Sequence, residues 1–113
     1  MYKTWLVAFV GAVIMVTPVM AADLAALEKD VIARAEAAPE SAPDYFMRQI
    51  ELRPVPTIEV QAVYLYGIGL AYERMGDTVE AVDYYRGAEL FGHKEAADAL
   101  VRLGREPFSK QGE

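Results

Sequence analysis

The chain has 113 residues, of which 54% are hydrophobic and none is cysteine. Its 17 acidic side chains outnumber the 11 basic ones, and an acidic surface repels the phosphate backbone of nucleic acids. Without cysteine there are no disulfides and no lipid attached at a cysteine, so burial alone must stabilise the fold. The composition indicates one small domain that does not bind nucleic acid.

The N-terminal segment has the pattern of a secretory signal peptide. Lys3 precedes an apolar run from Trp5 to Val16, and Thr17-Pro18 and small residues follow the run. The apolar run is shorter than the roughly 20 residues of a membrane-spanning helix. We therefore predict that residues 1–21 are a signal peptide and that the mature domain is periplasmic.

Cleavage is expected after Ala21 or Ala22, where small residues suit a signal peptidase. About 91 residues then remain, with 17 acidic against 10 basic side chains, because Lys3 is the one charged residue in the leader. The alternative is an uncleaved anchor in the inner membrane, because Met20 to Ala22 extend the apolar stretch.

Two helices are predicted within residues 22–56. The first can be capped by Asp23 and ends before Pro39, and its apolar residues recur on one face at Leu24, Leu27, Val31 and Ala35. After the linker 39–43, Asp44 can cap a second helix that ends at the proline-rich segment 53–56. These helices form either a degenerate repeat or an N-terminal cap.

Residues 57–92 predict a helical hairpin. Thr57 starts its first helix, Gly76-Asp77 turns the chain, and Gly92 ends the second helix. Asp77 and Glu80 have the spacing of a capping box. The inward positions are expected at Ile58, Ala62, Leu65, Ile68, Gly69 and Tyr72 in the first helix and at Val79, Val82, Tyr85 and Ala88 in the second.

A fifth helix is predicted within residues 93–106, from the spacing of Ala96, Ala97, Leu100, Val101 and Gly104. It is expected to cover the open end of the hairpin. Residues 107–113 are expected to form a flexible tail.

The hairpin sequence resembles a tetratricopeptide repeat from about Ala62 to Phe91. In this repeat family, small residues let two helices approach while large ones fill the remaining space. The matching positions are Leu65, Ile68, Gly69, Tyr72, Gly76, Ala81, Tyr85 and Ala88. The following run from Gly92 to Gly104 is more similar to the related Sel-like repeats, with His93 in place of the usual proline. The resemblance implies an all-α, tetratricopeptide-like array of about five antiparallel helices.

The resemblance also implies a partner-binding groove. In proteins with this motif, the corresponding positions on the first helix of a repeat line the concave groove that holds peptides or partner helices. The positions that carry over are Val63, Tyr66, Leu70, Glu73 and Arg74. The alternative is that the first two helices cover this stripe and make it part of the core.

The sequence offers few groups for catalysis. His93 is the one histidine, and Ser41 and Ser109 fall in a linker and a tail, so nucleophilic triads and zinc sites lack parts. The carboxylate pairs Asp77 with Glu80 and Glu95 with Asp98 fit helix starts or a solvated face. We expect no catalytic residue, no metal site and no cofactor.

These observations predict a non-enzymatic adaptor or scaffold that binds an envelope protein of a bacterium. A tethered subunit of a larger complex, held by an uncleaved N-terminal helix, is the alternative. A small periplasmic hydrolase or carbohydrate-binding protein that uses surface carboxylates is a weaker one. The oligomeric state stays open at this point.

Overall fold

The structure, a computed structural model, describes residues 21–108. Its regular elements in that range are five helices: α1 Ala21–Ala37, α2 Ala42–Ile50, α3 Ile58–Arg74, α4 Thr78–Leu90 and α5 Lys94–Arg102. The predicted all-α class is confirmed. The expected signal peptide lies outside the described residues except for Ala21, and so do residues 109–113 of the expected tail. Among the residues described, no helix has both the length and the hydropathy needed to cross a membrane.

Helix α3 is the centre of the fold because other helices approach it closely on two sides. An added Cβ at Gly67 would overlap Val31 Cγ1 of α1 and lie 2.8 Å from the Phe46 ring of α2. An added Cβ at Gly69 would lie 2.6 Å from the ring of Tyr85 on α4. Two glycines two positions apart thus admit α1 and α2 on one side and α4 on the other.

Contacts along the helices fix their directions. Helices α3 and α4 are antiparallel, since Gly69 faces Tyr85 while the later Tyr72 stacks on the earlier Tyr84 at 5.7 Å. Helices α1, α3 and α5 run in one direction. Their paired residues advance together, from Val31 near Gly67 to Glu36 near Arg74, and from His93 near Tyr66 to Arg102 near Glu73.

The apolar side chains form two buried clusters on the two sides of α3. The first joins α1, α2 and α3 and contains Val31, Ala35, Ala42, Phe46, Val63, Ile68 and Ala71. The second joins α4 and α5 and contains Ala81, Val82, Tyr85, Ala88, Ala96, Ala99 and Leu100. Leu70 and Tyr72 pack against both clusters, so α3 connects them.

The hairpin ends agree with the sequence prediction. Thr57 caps α3, and its Oγ1 accepts a hydrogen bond from the N–H of Val60 at 3.3 Å. Asp77 caps α4 by accepting from the N–H of Glu80 at 3.1 Å. The predicted capping box is formed only in this half, because the N–H of Asp77 donates to the carbonyl of Tyr72 and not to the Glu80 side chain. The bond to Tyr72 also closes the end of α3. Gly92 follows α4 with φ +93°, a conformation that glycine adopts without strain.

Two predicted helix starts were wrong. Asp23 lies in the first turn of α1, because the preceding alanines are good helix formers and extend the helix to Ala21. Asp44 lies in the first turn of α2, which Ser41 precedes. Pro43, expected in the linker, is part of the helix. Proline fits the first turn because the N–H groups of that turn make no intrahelical hydrogen bonds, so the N–H that proline lacks is not needed there.

The expected inward faces also needed correction at three positions. Ile58, Val79 and Val101 are 57%, 69% and 58% exposed. Ile58 and Val79 lie in the first turns of their helices. Helix α5 ends at Arg102, and Gly104 lies past its end with φ +77°.

The segment after α5 returns to α4. The N–H of Phe108 donates to Glu89 Oε1 at 2.8 Å, and Arg86 donates to the carbonyl of Glu106 at 3.2 Å. Pro107 is buried. The flexible tail expected for 107–113 is therefore not loose at its first two residues.

Candidate functional site

The five residues predicted to bind a partner fall into different environments. Val63 is 2% exposed and belongs to the same buried cluster as Val31 and Phe46. Helices α1 and α2 cover it, as the alternative interpretation of the stripe expected. Val63 therefore belongs mainly to the core, and the little surface it keeps lines a different cleft, at the N-terminal ends of α1 and α3.

Tyr66 is half-buried between two other rings. Its ring stacks on His93 with centroids 4.5 Å apart and lies 5.6 Å from the Tyr85 ring. Burial raises the pKa of the Tyr66 hydroxyl, and the nearby Glu28 carboxylate raises it further. Tyr66 therefore joins α3 to α4 and α5 through packing.

The other three predicted residues come together at a cleft near the C-terminal end of α3. This cleft, the α3 cleft, has a volume of about 520 Å³ and is lined by Glu36, Leu70, Glu73, Arg74 and Arg102. Leu70 is its half-buried apolar member. Arg74 pairs with Glu36 of α1, and Arg102 of α5 pairs with Glu73. Residues of three parallel helices thus line the cleft, and positively and negatively charged side chains surround Leu70.

Glu73 is the centre of a polar network beneath the cleft. Both of its oxygens accept hydrogen bonds from Arg102, and Oε1 also accepts from the Tyr85 hydroxyl at 2.7 Å. The Arg102 guanidinium, together with the Tyr85 hydroxyl, holds the pKa of the Glu73 carboxyl below its usual value even though burial opposes this. Burial raises the pKa of the Tyr85 hydroxyl, and the hydrogen bond to Glu73 raises it further. The network fixes α3, α4 and α5 to one another.

Sequence reasoning did not identify Glu36 and Arg102 as members of the site. Each comes from a helix far from α3 in the chain, so no local spacing relates it to Leu70. Glu36 and Arg102 carry charges opposite to those of Arg74 and Glu73. This is the one sequence property that could have suggested the two pairings.

His93 has a larger role than its position near a helix start suggests. It caps α5, since its Nδ1 accepts from the N–H of Ala96 at 3.2 Å, and it is 8% exposed. Its Nε2 lies 2.5 Å from Oε1 of Glu28 on α1. The cap position could be anticipated from the turn at Gly92, whereas the contact with Glu28 depends on tertiary packing.

Glu28, His93 and Glu95 lie close enough to suggest a metal site, with one ligand atom from each within 4.8 Å of the others. The hydrogen bonds argue against that use. Because Nδ1 accepts from Ala96, the neutral ring must carry its proton on Nε2, which then donates to Glu28. A cation needs a free lone pair on one ring nitrogen, and both nitrogens are occupied.

A second cleft lies where α1, α3 and α5 begin. This N-terminal cleft has a volume of about 340 Å³ and an apolar lining that includes Leu24, Ala62 and Phe91. Three carboxylates, from Glu28, Glu59 and Glu95, surround it together with one ammonium, from Lys94. The cleft therefore combines an apolar floor with an acidic rim.

Comparison with protein-family models, with curated protein sequences and with solved structures finds no match to this chain. Its function must therefore be inferred from its own residues. The described residues form both of these clefts and a further one between α1 and α2 that is lined by Asp30, Arg34 and Tyr45 among others. The same residues bring no serine or histidine into an arrangement suited to nucleophilic attack.

Proposed function

We propose that this chain is a non-enzymatic adaptor of the bacterial envelope, built around a tetratricopeptide-like repeat at about residues 62–91. The observation that carries the proposal is the α3 cleft. Its half-buried Leu70 lies between two ion pairs, Glu36 with Arg74 and Glu73 with Arg102. Such a surface suits docking, because an apolar anchor gives affinity and paired charges at the rim give orientation.

The partner expected in the α3 cleft is an amphipathic helix or an extended peptide. One apolar side chain of the partner would contact Leu70, and its polar groups would face the arginines and carboxylates at the rim. The side chains of Arg74 and Arg102 are 56% and 54% exposed, so both can exchange part of their present contacts for a partner. Glu73 holds Arg102 in place through hydrogen bonds. Tyr66 supports α3 by packing on the rings of Tyr85 and His93.

The packing of the hairpin supports the repeat assignment. Gly69 admits the Tyr85 ring, and Ala81 and Ala88 are fully buried between larger side chains. This is the alternation of small and large residues that lets the two helices of such a repeat approach. The parallel course of α1, α3 and α5 is likewise expected when helical hairpins stack in an array.

We further propose that the domain acts in the periplasm after removal of residues 1–21. The test is the N-terminal sequence of the protein in fractionated cells that express all 113 residues. A start at Ala22 or Asp23 in the periplasmic fraction supports export and cleavage. A start at Met1 in the membrane fraction supports the tethered-subunit alternative.

The adaptor proposal is tested by photocrosslinking in cells. A probe replaces Met75, which is exposed next to Arg74 at the end of α3 and does not line the α3 cleft, and a matched control replaces Asp83, which is exposed on α4. We expect a discrete crosslinked protein from position 75 and none from position 83. The same product should weaken when Leu70→Ala is added, while circular dichroism shows an unchanged helical signal. Equal products from both positions, or none from position 75, would contradict the proposal.

A further inference from the structure

Four of the ten large apolar side chains that are exposed among the described residues lie at or beside the start of α3. Leu52 and Val55 in the loop before α3 are 54% and 55% exposed, and Ile58 in its first turn is 57% exposed. Phe91, which lines the N-terminal cleft, is 40% exposed. Exposed apolar groups clustered at one end of a small domain indicate a contact surface.

The loop of residues 52–55, called the α2–α3 loop below, presents a cation between these apolar side chains. Arg53 is exposed, and its Nη1 donates to the carbonyls of Glu51 and Leu52. Gln61 donates to the carbonyl of Pro56 at 2.8 Å, which holds the end of the loop against α3. The loop is thus an exposed segment, anchored at the following Pro56, with the positive charge of Arg53 between the aliphatic side chains of Leu52 and Val55.

The N-terminal cleft has the complementary chemistry. Its apolar lining can receive an aliphatic side chain, and the carboxylates of Glu28, Glu59 and Glu95 outnumber the ammonium of Lys94. A volume of about 340 Å³ is enough for a side chain the size of valine or leucine with a guanidinium beside it. The cleft therefore suits a segment with a basic residue next to an aliphatic one.

We propose that the N-terminal cleft binds the α2–α3 loop of a second copy of this chain. The carboxylates at the rim contact Arg53 of the second copy, and the apolar lining receives its Val55 or Leu52. Both surfaces lie at the start of α3, because the loop runs directly into Thr57 and the cleft includes Glu59 and Ala62. Two copies related by a two-fold axis at this end can therefore exchange loops reciprocally and close the dimer.

The net charge opposes association at long range, since each copy without residues 1–21 has 17 acidic and 10 basic residues. At physiological ionic strength, salt largely screens the repulsion between charges more than roughly 8 Å apart, whereas charges in closer contact are screened less. The α3 cleft lies toward the other end of the same helix and stays open in this dimer. The proposed self-association is therefore independent of the proposed adaptor function, and an experiment can refute either proposal without refuting the other.

The test is a charge exchange between loop and cleft, followed by sedimentation velocity over a concentration series. The protein is purified from cells that express all 113 residues, and the variants are Arg53→Glu and Glu59→Arg. Both residues are exposed, so at concentrations where the unmodified protein is monomeric the thermal unfolding midpoints of the variants should match its midpoint. We expect each single variant to raise the dimer dissociation constant by roughly tenfold or more, because like charges then face each other.

Mixing the two variants distinguishes this contact from a general charge effect. In the mixed dimer, the glutamate introduced in the loop of one copy faces the arginine introduced in the cleft of the other. The second contact keeps the native pair, so dimers should reappear. Glu40→Arg, a charge reversal at an exposed site in the turn before α2, should leave the dissociation constant within about threefold of the unmodified value.

Three results would overturn the proposal. The first is an unmodified protein that stays monomeric at its highest soluble concentration. The second is a dimer that neither single variant weakens, and the third is a mixture of the two variants that does not recover dimers.

Discussion

Glu28 on α1 and His93 at the start of α5 are 65 residues apart in the chain, and Glu28 Oε1 lies 2.5 Å from His93 Nε2. The other ring nitrogen, Nδ1, accepts from the N–H of Ala96. One neutral imidazole therefore caps α5 and ties it to α1, while its face stacks on Tyr66 of α3. This contact connects the three parallel helices at their N-terminal ends.

Replacing His93 should separate its capping role from its contact with Glu28. His93→Ala loses both and leaves space beside Tyr66, so we expect a loss of about 2 kcal/mol in the free energy of unfolding. His93→Asn keeps an oxygen that can accept from the Ala96 N–H and should recover about 1 kcal/mol. Urea unfolding measures both. Equal losses for the two variants would mean that the cap contributes nothing.

Two of the helical glycines, Gly67 and Gly87, should respond oppositely to replacement by alanine. A Cβ at Gly67 overlaps Val31 and crowds Phe46, so Gly67→Ala must displace α1 and α2 and should cost about 1–3 kcal/mol. A Cβ at Gly87 meets Leu65 Cδ1 at 3.7 Å, an ordinary contact. Gly87→Ala should then gain up to about 1 kcal/mol, because alanine is the better helix former. Denaturant unfolding of the pair tests this, and a neutral Gly67→Ala would contradict the close approach.

Glu73 should make the fold sensitive to acid. Its hydrogen bonds with Arg102 hold the carboxyl pKa below the ordinary value of 4.5. The unfolded state therefore binds a proton at higher pH than the folded state does, and stability present above pH 4.5 is lost as the pH falls through the folded pKa.

Glu73→Gln removes this titration. It should lower the thermal unfolding midpoint at neutral pH and flatten its decline in acid relative to the unmodified protein. Glu40→Gln, at an exposed carboxylate in the turn before α2, should reproduce the unmodified curve. Parallel acid curves for Glu73→Gln and the unmodified protein would exclude Glu73 as a source of the sensitivity.

Replacing Tyr66 should lower stability, whereas replacing Arg74 should weaken binding of the partner. Tyr66 packs between Tyr85 and His93, so Tyr66→Ala should cost about 2 kcal/mol in unfolding free energy. Arg74 is an exposed partner of Glu36, and exposed ion pairs contribute about 0–1 kcal/mol. Arg74→Ala should therefore keep stability while weakening partner capture at the α3 cleft. Thermal unfolding, and the crosslinking yield from the probe at Met75, measured on the same variants, distinguish the two roles.

The sequence predicted the hairpin well because its signals are local. The Thr57 and Asp77 caps and the glycine end at Gly92 depend on residues within a few positions of one another, and all three are present. Burial of Tyr85 and Ala88 followed from helical spacing. The first turns of α1 and α2 were misjudged because alanine and Pro43 are as compatible with a first turn as with a linker.

The site was less predictable because its contacts are distant in the chain. Helical spacing put Val63, Tyr66 and Leu70 on one face but gave no information about what covers that face. The structure places α1 and α2 over Val63 and His93 over Tyr66, so Leu70 is the apolar residue of the stripe that lines the α3 cleft. The burial of His93 was equally hidden, because Glu28 comes from another helix.

The central position of α3 has a consequence for how this domain unfolds. Stacked helical arrays often lose units one at a time from their ends, because each unit contacts its neighbours alone. Here Gly67 and Gly69 bring both buried clusters onto one helix, and Leu70 and Tyr72 pack against both. Neither cluster keeps its packing when α3 melts. The described residues should therefore unfold in a single cooperative transition, with coincident curves from a probe in α1 and a probe in α5.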